Sequence, residues 1–171
     1  MDLTKYIREI PDFPQKGILF RDLTPLMGSP EAFSYAVESI AGFFKDKQVD
    51  KVAAIEARGL IFGAPIAKIL GAGFVPVRKP GKLPFVIVRK EFQLEYGMSI
   101  LEVHEDAVKK GERVLMIDDL LATGGTALAA SELIESIGGE IVGWGFVVIL
   151  KDLKGEEKLR KYPVLSLVNF G

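Results

Sequence analysis

Two hydrophobic periods divide the chain. Behind Ser29-Pro30-Glu31, the residues Phe33, Val37, Ile40, Ala41 and Phe44 recur at helical spacing. Serine followed by proline marks a helix start, because proline's missing N–H falls where no intrahelical partner exists. The pattern predicts a helix ending in Lys45-Asp46-Lys47. Val52-Ala53-Ala54-Ile55 reads as a short buried strand running into Glu56-Ala57-Arg58-Gly59, followed by a helix over about 60–70 in which Pro65 marks an early turn or a kink. Gly73-Phe74-Val75-Pro76-Val77 starts another strand. The alternation resumes with a strand over 113–117, a helix over about 125–137, a strand over 141–150 and a last strand over 164–168. Strands that are apolar throughout, separated by helices of about three turns, predict an α/β fold with a mostly parallel sheet flanked by helices on both faces.

Two segments break this rhythm. Residues 1–28 are interrupted by Pro11, Pro14, Gly17, Pro25 and Gly28 and read as a small helix followed by an extended arm with turns. From Arg78 to Val103 the chain carries Pro80, Gly81, Pro84 and Gly97 between extended pieces such as Phe85-Val86-Ile87-Val88 and Ser99-Ile100-Leu101-Glu102-Val103. This predicts a long hairpin-like excursion, its lid portion over 79–103. No internal repeat or low-complexity tract appears, so residues 1–171 are expected to form a single domain.

Composition narrows the chemistry. With 49% hydrophobic and 26% charged residues the chain has the makeup of a folded protein, far from that of a disordered one. A formal net charge of −1 supplies no overall pull toward nucleic acid or an acidic membrane. A bound anion must therefore be met by a local cluster of positive groups, and the ligand is expected to be small. The absence of cysteine removes thiolate-zinc, iron–sulfur and cysteine-nucleophile chemistry, and the single histidine, His104, is too few for a multi-imidazole site. Charges run through Met1 to Glu9 where a signal peptide needs an apolar core, and no run reaches the roughly 18 apolar residues of a membrane span. The expectation is a cytoplasmic protein with no nucleic-acid or membrane partner.

In open α/β sheets, ligands sit beyond the carboxyl ends of the strands. That directs attention to Val114-Leu115-Met116-Ile117-Asp118-Asp119-Leu120-Leu121-Ala122-Thr123-Gly124-Gly125-Thr126. Ala122, Thr123, Gly124, Gly125 and Thr126 combine small side chains, paired glycines, two hydroxyls and the start of a helix whose first N–H groups lack partners, which together make an anion cradle. Neither the lysine of a Walker A loop nor the Gly-x-Gly-x-x-Gly spacing of dinucleotide folds is present. Asp118 and Asp119 can accept hydrogen bonds from vicinal hydroxyls or help position a hydrated Mg²⁺. A phosphate cradle beside a diol acceptor describes a ribose 5-phosphate. A plain turn with a capped helix would use some of the same residues, but the coincidence of all five features in one stretch favours the anion site.

This segment resembles the ribose-phosphate motif of the type I phosphoribosyltransferases. The similarity extends along essentially the whole chain, through Asp12-Phe13-Pro14, Gly17-Ile18-Leu19-Phe20-Arg21-Asp22, Glu56-Ala57-Arg58-Gly59, Arg78-Lys79-Pro80-Gly81-Lys82-Leu83-Pro84 and Leu94-Glu95-Tyr96-Gly97 in the family's order. The additional motifs favour the branch that uses adenine. The resemblance implies that family's fold, with the excursion as a lid and the N-terminal arm as a base-binding element. It also implies a pentosyltransferase of purine salvage, forming AMP and diphosphate from adenine and 5-phospho-α-D-ribose 1-diphosphate (PRPP). Xanthine or hypoxanthine as the base is one alternative. A non-catalytic regulator keeping the pocket as an effector site is another, although the chain has neither the length nor the basic face for an added nucleic-acid-binding module.

The same resemblance assigns roles. Residues 122–126 hold the 5-phosphate, and Asp118 and Asp119 hold the ribose hydroxyls. Glu56, Ala57, Arg58 and Gly59 form the diphosphate loop, for which the family often has a cis peptide, expected here at Ala57-Arg58. Arg78, Lys79 and Lys82 add charge for the diphosphate, Arg78 within reach of the neighbouring site in a homodimer. Arg89 and Lys90 are weaker candidates that also serve to keep an exposed hairpin soluble. Glu95 exchanges the N9 proton of adenine, and Tyr96 orients the lid or a phosphate. Ile18, Leu19 and Phe20 give the base an apolar wall, and Arg21 presents its backbone N–H and C=O. Mg²⁺ is the implied cofactor, carried by substrate and water with Asp118 and Asp119 nearby. His104 reads as a cap or surface residue, and Trp144 as packing.

Overall fold

The computed structural model describes residues 1–94 and 97–171. The N-terminal arm is more structured than its prolines and glycines predict. After a 3-10 turn at Leu3–Tyr6, β1 (Arg8–Pro11) and β2 (Leu19–Asp22) pair antiparallel, and α1 (Thr24–Gly28) follows. This helix accepts Pro25 in its first turn and buries Leu26 completely, but five residues are too few to register as a helical period.

The helix expected behind Ser29 is α2 (Pro30–Phe44), and Ser29 Oγ accepts the Ala32 N–H at 3.3 Å. Next come β3 (Lys51–Ile55), α3 (Arg58–Leu70) and β4 (Gly73–Val77). Pro65 lies inside an unbroken α3, which forgoes a hydrogen bond there without ending. The excursion forms a hairpin of β5 (Ile87–Leu94) and β6 (Gly97–His104). Its named pairing starts at Ile87, just after exposed Phe85 and Val86, and the Val86 carbonyl still accepts the Glu105 N–H at 3.0 Å. The remaining elements are β7 (Arg113–Leu121), α4 (Gly125–Ser136), β8 (Glu140–Leu150), two 3-10 turns at Lys151–Leu153 and Gly155–Leu159, and β9 (Val164–Phe170).

Five strands form one parallel sheet in the order β4-β3-β7-β8-β9. Val52, Ala54, Leu115 and Ile117 pack beneath α2 and α3, whereas Ala53, Val114, Met116 and Trp144 pack toward α4 and the hairpin. Burial of both faces is why these strands read as unbroken apolar runs. Trp144 stacks 5.1 Å from Phe146, and its Nε1 donates to Ser131 Oγ at 3.0 Å, in keeping with packing. Among the described residues, no helix is long and apolar enough to cross a membrane.

The strand order reverses between β3 and β7, since β4 lies on one side of that pair and β8 and β9 on the other. Ligand crevices open at such a point. Here the pairing of β3 with β7 stops at Ala54 and Ile117, while β7 continues against β8 as far as Leu121 and Ile149. The end of β7 therefore projects past its neighbour and leaves space above β3.

Candidate active site

Beyond Leu121 the chain turns through Ala122, Thr123 and Gly124 into α4. Gly124 has φ of 79°, and a Cβ there would lie 2.5 Å from the carbonyl oxygen of Gly155. Only glycine satisfies both conditions. No side chain caps α4, so its first N–H groups stay available where Gly125 and Thr126 line a cleft of about 580 Å³. Thr123 lines it as well. The cradle expected from the sequence is thus open to a ligand and carries the partial positive charge of a helix N-terminus.

Glu56, Ala57 and Arg58, at the end of β3, form the facing wall with Lys79. The cis peptide lies at Glu56-Ala57 and not at the expected Ala57-Arg58. The Glu56 N–H still bonds the Val77 carbonyl at 3.0 Å and continues the strand ladder, while Arg58 already opens α3, so the chain reverses one peptide earlier than expected. Gly59 lets α3 start directly against β7, because a Cβ would meet Asp118 Oδ1 at 2.7 Å and the Ile117 carbonyl oxygen at 3.2 Å.

Arg58 Nε lies 2.6 Å from Asp119 Oδ2. Asp118 Oδ1 accepts the Asp119 N–H at 2.9 Å. Burial, and next the charge of Asp119, push the Asp118 carboxyl well above the usual range. Its protonated form can donate as well as accept, which suits a pair of hydroxyls. Burial alone would raise the Glu56 carboxyl too. Hydrogen bonds from the Arg78 side chain and the Lys79 N–H, reinforced by the Lys82 charge, hold it below the usual range instead.

The basic turn is accordingly divided. Arg78 Nε sits 2.5 Å from Glu56 Oε2 and Lys82 Nζ 3.5 Å from Oε1, and of the three basic residues Lys79 is the one that lines the cleft. Arg89 and Lys90 pair with Glu102 and Glu132. The arm stands beside this wall: the Phe20 ring lies 5.5 Å from the Arg58 guanidinium carbon, and Ile18 and Leu19 are exposed. The Arg21 side chain is committed elsewhere, to Glu9 and to the Phe170 ring 4.0 Å away. Glu95 and Tyr96 lie outside the described residues.

Sequence reasoning missed the underside of the hairpin, where Phe92, Leu94, Ser99 and Leu101 roof the cleft. The alternation of Phe92 and Leu94 with Glu91 and Gln93 was the available signal. It also missed the close contact between the phosphate loop and Gly155. His104 ends β6 half-buried with its ring 6.2 Å from Phe85, and its Nε2 is enclosed without a hydrogen-bond partner among the described residues.

A model of the phosphoribosyl transferase domain matches residues 31–169. An adenine phosphoribosyltransferase of Clostridium kluyveri is 55% identical over 170 residues, covering 99% of each chain. The crystal structure of an adenine phosphoribosyltransferase from Thermoanaerobacter pseudethanolicus superposes with a TM-score of 0.95 at 50% identity, covering 99% of this chain and 98% of that one. That of the Saccharomyces cerevisiae enzyme, complexed with adenine and an imino-altritol bisphosphate, does so with a TM-score of 0.91 at 37% identity, covering 97% and 96%.

Proposed function

This chain belongs to the phosphoribosyl transferase domain family, and we propose from that premise how its residues divide the work of one reaction. The reaction is adenine phosphoribosyl transfer, in which adenine and PRPP give AMP and diphosphate. The observation that carries the assignment of residues is the cleft between two strand ends, with an uncapped helix N-terminus on one wall and Arg58 on the other.

The 5-phosphate rests on residues 122–126, and the ribose hydroxyls lie against Asp118 and Asp119. Arg58, with the backbone of 56–59 and Lys79, receives the diphosphate, while Arg78 and Lys82 stand behind Glu56 as a second rank of charge. As the glycosidic carbon separates from diphosphate, positive charge develops on the ribose and negative charge on the leaving group. Fixed charges and positioning then supply most of the acceleration. The apolar hairpin roof keeps water from the cation-like ribose. Phe20, Ile18 and Leu19 offer the base an apolar wall, the Arg21 backbone reads its edge, Glu95 exchanges its N9 proton and Tyr96 steadies the lid.

Among the described residues no three His, Cys, Asp or Glu side chains form a metal cage. Mg²⁺ would enter with the substrate, held by phosphates and waters with one or two carboxylates, here Asp118 and Asp119. When bound, the ion neutralises the leaving diphosphate. The whole chain, 1–171, acts as one unit and pairs as a homodimer, for which exposed apolar side chains such as Ile61, Ile69 and Phe74 are available. The proposal also places the enzyme in the cytoplasm, since its donor is a multiply charged anion that crosses no bilayer unaided.

The test is a product assay with Mg²⁺ and PRPP against adenine, guanine, hypoxanthine and xanthine. AMP from adenine, with the other bases poorly used, is the expected outcome. Preferential use of a 6-oxopurine would overturn the base assignment, and no nucleotide from any base would overturn the enzyme reading.

A further inference from the structure

Glu102 lies in the middle of β6 and is only 2% exposed. A carboxylate buried to this degree is normally paired and hydrogen-bonded, and its two oxygens go to different places. Oε1 lies 3.1 Å from Arg89 Nη2 across the hairpin, and Oε2 accepts the Gly81 N–H at 3.1 Å. The backbones of Arg78 and Glu102 also exchange two hydrogen bonds, of 2.9 and 2.7 Å. The basic turn is thus tied to β6 twice, at Arg78 through main chain and at Gly81 through the Glu102 side chain. Lys79 and Pro80 fall between the ties. Pro80 has a fixed φ, so a turn held at both ends has little freedom left, and Lys79 enters the cleft wall from it.

We propose that Glu102 is a positioning residue for the diphosphate end of the donor: by holding the Gly81 N–H it fixes the turn from which Lys79 reaches the cleft. The assignment rests on the phosphoribosyl-transfer reading above. On the opposite flank Glu56 pairs with Arg78 at 2.5 Å and Lys82 at 3.5 Å, so two buried carboxylates bracket one short basic turn. Positioning of this kind acts on the diphosphate end and leaves the 5-phosphate cradle alone, because residues 122–126 take no part in the clamp.

Two conservative substitutions separate the hydrogen bond from the charge. Glu102→Gln keeps an oxygen at the end of a side chain of equal length, retaining the acceptor and discarding the charge. Glu102→Asp keeps the charge but draws the carboxylate back by one methylene, away from Gly81, while the half-exposed Arg89 can follow it. Calorimetric titration of inorganic diphosphate with Mg²⁺, and separately of ribose 5-phosphate, is carried out on wild type and both variants. The Asp variant is expected to bind diphosphate about tenfold more weakly, as for loss of a hydrogen bond to a charged acceptor. Its ribose 5-phosphate affinity should stay within about twofold, and the Gln variant should bind both ligands within about twofold. The opposite ranking of the variants, equal losses for both ligands, or unchanged diphosphate affinity in the Asp variant overturns the proposal. An Asp variant that is unfolded by circular dichroism also overturns it, by making Glu102 a fold residue. If wild type binds ribose 5-phosphate but no diphosphate, the functional reading falls and takes this assignment with it. If wild type binds both and the Asp variant matches it, only the Glu102 assignment falls.

Discussion

Replacing Gly124 with alanine tests the phosphate loop at its tightest point. Two terms act together. An L-residue held at φ of 79° costs about 1–2 kcal/mol. The new Cβ would also sit 2.5 Å from the Gly155 carbonyl oxygen. That is backbone, which cannot rotate aside as a flexible side chain would, and overpacking of this sort typically costs about 1–3 kcal/mol. The sum, roughly 2–5 kcal/mol, corresponds to a fall in Tm of roughly 4–20 °C for a chain of this size. The assay is thermal melting with and without ribose 5-phosphate. At about 100 times Kd the ligand should stabilise wild type by about 2.7 kcal/mol. G124A should melt lower and lose most of that ligand-induced shift, because relieving the clash moves the cradle. Gly125 is the control. Its φ is not positive, and a Cβ there would meet the Gln93 carbonyl oxygen at an ordinary 3.6 Å, so G125A should melt within about 2 °C of wild type, as for a mild glycine replacement. A G124A protein with unchanged Tm and an undiminished ligand shift would refute the reasoning.

Three further substitutions test other parts of the reading. The folded-state pKa of Asp118 is raised above its ordinary value of 3.8, so the stability it contributes is fully present below that value and is lost as pH rises through the folded one. D118N, which buries no charge, should therefore melt above wild type near neutral pH, converge with it at acid pH and bind ribose 5-phosphate less well; a lower Tm throughout the range would contradict this. S131A strands the buried Trp144 N–H and should lower stability by about 1–3 kcal/mol; a melting temperature equal to wild type would show the bond to be unimportant. E95Q should reduce kcat with adenine by about 100-fold or more while leaving PRPP affinity nearly unchanged, and an unchanged kcat where chemistry limits the rate would remove Glu95 from proton transfer.

The pattern of apolar positions located α2, α3, α4 and the sheet strands because each is buried on a regular period or on both faces. α1 and the 3-10 turns at Lys151–Leu153 and Gly155–Leu159 were not legible, being shorter than the window in which a period shows. The cradle and the acidic pair were legible because a strand end, two carboxylates and paired glycines are contiguous. The pairing of Arg78 and Lys82 with Glu56 was not, since it depends on a turn folding back over the ends of β3 and β4. Glu102, flanked by Leu101 and Val103, looks like an outward-facing strand residue. Only its register opposite Arg89 and the bridge to Arg78 explain how a charge is buried there.

The projection of β7 past β3 also bears on how the protein avoids association through its sheet. A strand whose neighbour has ended presents unpaired backbone, and on the outside of a sheet such an edge is a template for adding a foreign strand. Here the unpaired stretch at 118–121 lies in the middle of the sheet, hemmed by the first turn of α3, where even a Cβ on Gly59 would collide with Asp118 and Ile117. A second polypeptide has no room to lie down in that gap, so the unpaired backbone opens into the cleft from inside the sheet and not at either outer edge.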